Sequence, residues 1–363
     1  MQKFHIKKQY FTDNGATAIT SLINGCNCKL YIGFTSMDHP VVEYDMATGM
    51  TRDIGLMFNQ PANNMPLEDK VHNSFALDEN GVLYIGQGLN IGWDARPYGF
   101  SLQKYGGGHL FAYDTKTERI TDCGIMVPRN AIHGITYNKE TRRIYGYTIP
   151  DNHFFRYDID AGKAVDYGKI SAYASHNYIS DSQGNVYGAW LKEGIYDESE
   201  RGAKNNYVMQ GSFLLKYDCA KDELIRTKEM IVYGLEHDIF GNVGVDSWIR
   251  TSKGDVFGGT AIGGDIFKVK PDDTIQHIGK PVLGPRLTSM VEGPDGLIYG
   301  CAGFPHMSLF TLNPETNEIA DYGVLSREGM FWYLHCLAFG DNGVLYGGET
   351  DAGKACLFQI IPE

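Results

Sequence analysis

Residues 71–86 read VHNSFALDENGVLYIG. A short apolar strand runs into Asp78-Glu79-Asn80-Gly81, which is a hairpin signal, and a second strand carries Tyr84 and Gly86. The second half of that hairpin recurs along the chain. KLYIG falls at Tyr31, VLYIG at Tyr84, RIYG at Tyr145, NVYG at Tyr187, DVFG at Phe257, LIYG at Tyr299 and VLYG at Tyr346. The intervals are 53, 61, 42, 70, 42 and 47 residues. A unit of roughly 42–47 residues with insertions in some copies has the length of a four-stranded propeller blade.

The neighbours of each copy repeat as well. A turn such as DENG, SQG, SKG, PDG or DNG precedes the motif, and another apolar strand lies ahead of the turn. A third strand often ends in Tyr-Asp, at Asp45, Asp114, Asp158 and Asp218. A fourth carries Asp-x-Gly at Asp53, Asp122, Asp166 and Asp321, with His277 in the same place in another copy. The last copy stops after its third strand, while a spare strand, roughly Phe4 to Phe11, precedes the first. Pairing the two closes the ring and removes an exposed sheet edge. The expectation is an all-β chain. It forms one domain over residues 1–363, a seven-bladed β-propeller of four-stranded antiparallel blades closed by the N-terminal strand.

Composition agrees. Gly supplies 44 of the 363 residues, and Tyr, Phe and Trp supply 45 more (23, 18 and 4). Most of those aromatics are the repeated strand and read as blade packing. The net charge is −12, and no basic block is longer than Lys7-Lys8 or Arg142-Arg143, which argues against nucleic acid as a partner. No apolar run reaches the roughly 18–20 residues of a membrane span. The first residues, MQKFHIKKQYFTDNG, lack an apolar leader core, so the expected place is the cytoplasm, or the periplasm or exterior if a leader has been removed. A monomer is expected. Seven scattered Cys read as packed thiols rather than a disulfide framework.

Call the strands of a blade A to D from the axis outwards. The D–A and B–C loops then share one face. The two longest B–C loops (about 90–108 and 191–211) and the long D–A connection at 233–245 decorate that face, where function is expected. Eleven residues before each aromatic-glycine strand lies the start of strand A, at the channel mouth. That place holds Thr20, Asn73, His176, Asp246, Thr288 and His335; His133 takes it in the third copy, and His72 sits one place earlier in the second. Nine of the eleven His map to this face, all but His5 and His277.

Imidazoles titrate near neutrality and serve as acid or base. His133 and His176 are the leading pair, with His72 and His335 next and Tyr333 as an alternative acid. Arg129, Arg250 and Arg286 are the cations for a substrate carboxylate. Trp93, Trp248, Trp332 and Asn73 are expected to contact the substrate. Several His with Asp246 could instead hold a transition metal, but no HExxH-type spacing supports one. There is no GxSxG elbow or P-loop, and the Trp-Asp and Gly-His pairs that mark WD40 arrays do not recur from blade to blade.

The segments VHNSFALDENGVLYIGQG from Val71, AIHGITYNKETRRIYGYTIPDNHFFRYD from Ala131 and SHNYISDSQGNVYGAW from Ser175 resemble the seven-bladed propeller polysaccharide lyases. They look most like the L-rhamnose-α-1,4-D-glucuronate lyases and the related propeller glycosidases acting on rhamnosyl-glucuronate caps of arabinogalactan. The resemblance is one of blade pattern over nearly the whole chain. It implies a lyase that cleaves an acidic oligosaccharide or polysaccharide beside glucuronate by β-elimination, with a calcium ion near the channel, for which Asp246 is the candidate ligand. A glycoside hydrolase on the same glycan and a non-catalytic sugar- or protein-binding propeller are the alternatives.

Overall fold

The structure, a computed structural model, describes residues 4–11, 15–25, 28–36, 40–56, 68–90, 105–170, 177–191, 211–232, 244–261, 263–303, 306–325, 333–350 and 355–362. It is a ring of seven antiparallel blades. Blade 3 shows the plan: strand A Ala131–Asn138, B Arg143–Ile149, C His153–Asp158 and D Lys163–Lys169, paired in that order. The other inner strands are Ala18–Asn24, Phe75–Leu77, Ile179–Ser180, Val245–Arg250, Leu287–Glu292 and Leu334–Phe339. Each touches the next around the axis, and the last touches the first. Closure follows the expected route. Phe4–Tyr10 pairs antiparallel with Cys356–Pro362, from Phe4 opposite Pro362 to Tyr10 opposite Cys356, and so supplies strand D of blade 7.

The repeated residues have identifiable local duties. In strand B the aromatic is a core residue: Tyr31, Tyr84, Tyr145, Tyr187, Phe257 and Tyr346 are buried. In blades 3, 5 and 6 the glycine after it lies under a ring from strand C. A Cβ at Gly258 would sit 2.2 Å from the Phe267 ring, and one at Gly300 2.2 Å from the Phe310 ring. The Asp closing strand C caps the C–D turn; Asp45 Oδ1 accepts the amides of Ala47 and Thr48 at 3.0 and 2.8 Å. In strand D, Asp-x-Gly is a bulge. Asp122 and Asp166 accept the amides of Gly124 and Gly168 at 2.7 Å, and both glycines have positive φ. His109 and His153 at the starts of strands C donate from Nδ1 to these same carboxylates, at 2.9 and 3.0 Å, which makes them rim fasteners.

One element was not expected. Glu68–Lys70 pairs with Thr35 and Ser36 at the end of strand B in blade 1, and with Gly88–Asn90 beyond strand B of blade 2. It extends the blade 1 sheet to the segment that follows strand B of blade 2, on the D–A face, while the four strands of blade 2 remain a sheet of their own. Of the cysteines in the described residues, Cys301, Cys336 and Cys356 are buried, Cys123 and Cys219 half-buried and Cys28 exposed; none forms a disulfide. Cys26 lies outside the described residues.

Two outcomes follow from this packing. Gly258→Ala must push the Phe267 ring aside. A urea melt should show a loss of about 1–3 kcal/mol, and an unchanged midpoint would refute the packing role. Burial also pushes the Tyr84 phenol up to about 12 and raises Tyr31, Tyr187 and Tyr299. Unfolded tyrosine ionises near about 10, so the unfolded state loses these protons first. Stability held by the buried phenols is complete below that pH and falls as pH rises from about 10 towards 12. The phenolate absorbance of the buried tyrosines should therefore appear together with the loss of circular dichroism, after that of exposed tyrosines such as Tyr10.

Candidate functional site

The inner strands begin with a shared irregularity. In five blades the A–B register skips one residue: Thr20, His133, Asp246, Thr288 and His335. A bulge leaves its extra residue out of the ladder and re-aims its side chain, and such bulges gather beside active sites. These are the positions picked out by sequence spacing. They divide by chemistry. Thr20 Oγ1 donates to the Val71 carbonyl at 2.7 Å and Thr288 Oγ1 to the Leu334 carbonyl at 2.5 Å, so both threonines tie neighbouring blades together. The His and Asp bulges form the cluster at the mouth.

Three imidazoles meet there. His72 and His133 stack face to face, with ring centroids 3.9 Å apart and planes at 15°. His72 Nδ1 lies 2.9 Å from the His133 carbonyl, which can only accept, so His72 carries a proton on Nδ1. In neutral His72 the Nε2 lone pair is then left to accept. His335 Nε2 lies 2.8 Å away and donates to it. Two N–H groups cannot face each other at this distance, so one proton at most sits between the two rings. An acid and a base in contact are the equipment of proton transfer. All three rings are nearly buried, at 2% exposure for His72, 5% for His335 and 9% for His133. The Asn73 amide approaches the same His335 nitrogen at 3.3 Å. Asn73 has φ 47°, a left-handed conformation that Asn tolerates better than most residues. Its backbone binds both neighbouring blades, donating to Thr20 O and accepting from Ile135 N.

A second group faces the histidines from blades 5, 6 and 7. Arg286 Nε donates to Asp246 Oδ2 at 2.7 Å, with side-chain exposures of 10% and 2%. The guanidinium also lies over the Tyr333 ring, 4.3 Å from its centroid. Arg129 is exposed at the start of the blade 3 strand and has no ion-pair partner among the described residues. Arg129 and Arg286, like Asn73, have positive φ, 61° and 70°. Strained non-glycine residues of this kind gather at functional sites.

Some expected members lie elsewhere. Arg250 ends strand A, so its direction carries it to the opposite mouth. There Nη1 donates to the Asp181 carbonyl at 2.8 Å, 3.7 Å from Glu140, beside an open cavity of about 420 Å³ lined by Glu79, Tyr137 and Lys139. Its placement with the histidines is corrected on that ground. Trp248 is also corrected. It packs edge-on against Phe267, centroids 5.3 Å apart, in the apolar seam with Tyr187 and Leu214, because strand alternation turns it away from the channel. Tyr333 is fully buried beneath Arg286, which removes it as an open proton donor. His176, Trp93 and Trp332 lie outside the described residues. Sequence spacing missed Tyr147, whose ring edge meets His133 at 5.4 Å.

Calcium takes six to eight oxygen ligands, and the described residues at the mouth do not supply such a set. Asp246 is engaged by a guanidinium, and its neighbours at the mouth are imidazoles and phenols. No group of three His, Cys, Asp or Glu side chains among the described residues is arranged to hold a metal ion.

No protein-family model matches the sequence, and no curated protein matches it. Solved structures match the fold. A streptogramin B lyase aligns over 98% of this chain and 98% of its own at 12% identity, TM-score 0.64. A catalytically inactive His→Ala variant of virginiamycin B lyase from Staphylococcus aureus, with quinupristin, aligns over 99% and 100% at 10% identity, TM-score 0.65. The WD40 repeats of RRP9 align over 99% and 100% at 9% identity, TM-score 0.59. At these identities the likeness is one of fold, shared by lyases and by WD40 propellers.

The buried ion pair yields a direct test. Asp246→Asn leaves the Arg286 charge without its counter-ion and should cost about 3–5 kcal/mol in a urea melt. The double variant Asp246→Asn with Arg286→Met should recover much of that loss. Equal losses in single and double variants would show that the pair is not the relevant contact.

Proposed function

We propose that this protein is a carbon–oxygen lyase that cleaves a uronate-containing saccharide by β-elimination beside glucuronate, including rhamnose-capped chains. The observation that carries the reading is the 2.8 Å contact between His72 Nε2 and His335 Nε2, with His133 stacked on His72. Elimination next to a uronate needs the carboxylate neutralised, the C5 proton removed and the leaving oxygen protonated. Arg129 is the cation for the first duty, because it is exposed at the mouth while Arg286 is held by Asp246. His133, the least enclosed imidazole, is the base. The His72–His335 pair takes up and returns the proton. Stabilisation of the charge developing on the carboxylate is the largest contribution expected of such a site.

Support also comes by analogy from the propeller lyase made inactive by a His→Ala change. A hydrolase would instead need two placed carboxylates roughly 5–10 Å apart. Asp246 is occupied, and Glu193, Asp197, Glu198 and Glu200 lie outside the described residues. A binding propeller is the second reading, favoured by one observation. Ile125, Leu283 and Val324 are exposed at or beyond the ends of strands D, on the same face, and Leu283 is 96% exposed.

Incubation with rhamnosyl-glucuronate oligosaccharides should generate the ultraviolet absorbance of an unsaturated uronate. Released sugar without absorbance would indicate hydrolysis, and no product from any uronate glycan would leave the binding reading. His133→Ala and His335→Ala should each lower kcat/KM by roughly 10²–10⁴-fold. Full activity in both would refute the site.

A further inference from the structure

The repeat breaks at one position beside the mouth. Two residues after each strand-B aromatic the chain has Gly33, Gly86, Ala189, Gly259, Cys301 and Gly348, but in blade 3 it has Tyr147. The small residues have a packing cause. A Cβ at Gly86 would fall 2.5 Å from Ile132, one at Gly259 2.4 Å from Leu287, and one at Gly348 2.4 Å from Ile19. Each contact is with the next blade's inner strand, pressed against this spot. After blade 3 the next inner strand is short, Ile179–Ser180, and Tyr147 occupies the seam, packed edge-on against Tyr178 at 5.2 Å.

A phenylalanine would fill that seam as well. The hydroxyl is therefore the part to explain. Tyr147 is 1% exposed, and among the described residues its hydroxyl has no hydrogen-bond partner. Burial first, then Tyr178 and the Asp246 charge, hold the phenol well above its usual range, so it keeps its proton and remains a donor. A buried donor without an acceptor is costly, and such exceptions in native proteins call for a reason. Its surroundings supply one. The ring lies edge-on to His133, 5.4 Å between centroids, and is near enough to Asp246 to feel its charge, so it stands between the two halves of the mouth.

We infer that the Tyr147 hydroxyl is a hydrogen-bond donor kept for an acceptor oxygen of the bound saccharide, at the inner seam of blades 3 and 4. The inference rests on the reading of the mouth as a saccharide site. The ligand gains a bond that no described residue offers the hydroxyl, and the free protein carries the cost.

Tyr147→Phe tests this without disturbing the ring. Two quantities are measured: the melting temperature of the free protein, and kcat/KM on rhamnosyl-glucuronate oligosaccharides. The expected result is a variant that melts about 1–3 °C higher, since the unsatisfied hydroxyl is gone, yet loses tenfold or more in kcat/KM. A higher melting temperature with unchanged kcat/KM would overturn the inference, because the hydroxyl would then be idle. A lower melting temperature would overturn it too, because the hydroxyl would have a structural partner. If the wild-type protein eliminates nothing, the lyase reading fails by itself, and thermal protection by glucuronate decides the role of Tyr147. Protection of the wild type that is lost in the variant supports it. Equal protection, or none in either, refutes it.

Discussion

The ladder between Phe4–Tyr10 and Cys356–Pro362 is the contact on which the rest depends. A ring of blades has no outer edge only if its ends are joined, and here the first strand of the chain completes the last sheet. The site needs this joint for a geometric reason. His72 belongs to blade 2 and His335 to blade 7, with blade 1 between them, and the two residues are 263 positions apart in sequence. Only a closed ring holds their nitrogens at 2.8 Å. Loss of closure would open the blade 7–blade 1 seam, where Ile19, Phe34, Cys336 and Leu357 share one apolar cluster, and would part the imidazoles with it.

Within the ring, the bulge at the start of strand A turns a packing element into a site. An unbulged inner strand would alternate its residues between the two blade faces. The extra residue is released from the ladder. Thr20 and Thr288 use that release to reach a neighbouring carbonyl, while His133, Asp246 and His335 bring ionisable groups to the mouth. One backbone device thus fastens the blades and displays the chemistry, and the residue type decides which.

The blades were legible in the sequence because each local rule points the same way: turn residues, a strand-B aromatic, and an Asp that caps the next turn. The ring, its closing strand and the channel-mouth positions all follow from counting within the repeat. Arg250 and Trp248 did not, because the count gives the strand but not the direction of the side chain. Arg250 is at the far end of its strand, and Trp248 is on the face turned to the seam. The pairing of His72 with His335 was also out of reach, since it crosses from blade 2 to blade 7 and no local spacing encodes it. The Glu68–Lys70 strand was missed because its pairing reaches from blade 1 to the segment after strand B of blade 2, whereas the repeat describes one blade.

Several features that the repeat does not explain meet at one mouth. Left-handed backbone elsewhere in the chain falls mostly in turns, as at Glu118, Asp222 and Asn317 between strands C and D. At Asn73, Arg129 and Arg286 it falls where strand A begins, beside the histidines. Each such residue costs of order 1–3 kcal/mol and persists only where the surroundings over-determine it. Seven packed seams can supply that constraint. Mouth strain, a nearly buried ion pair and a phenol at 147 without a hydrogen-bond partner among the described residues are local penalties placed together. Penalties of this kind are tolerated where a surface is shaped for more than its own stability, and local rules are broken most often at such places.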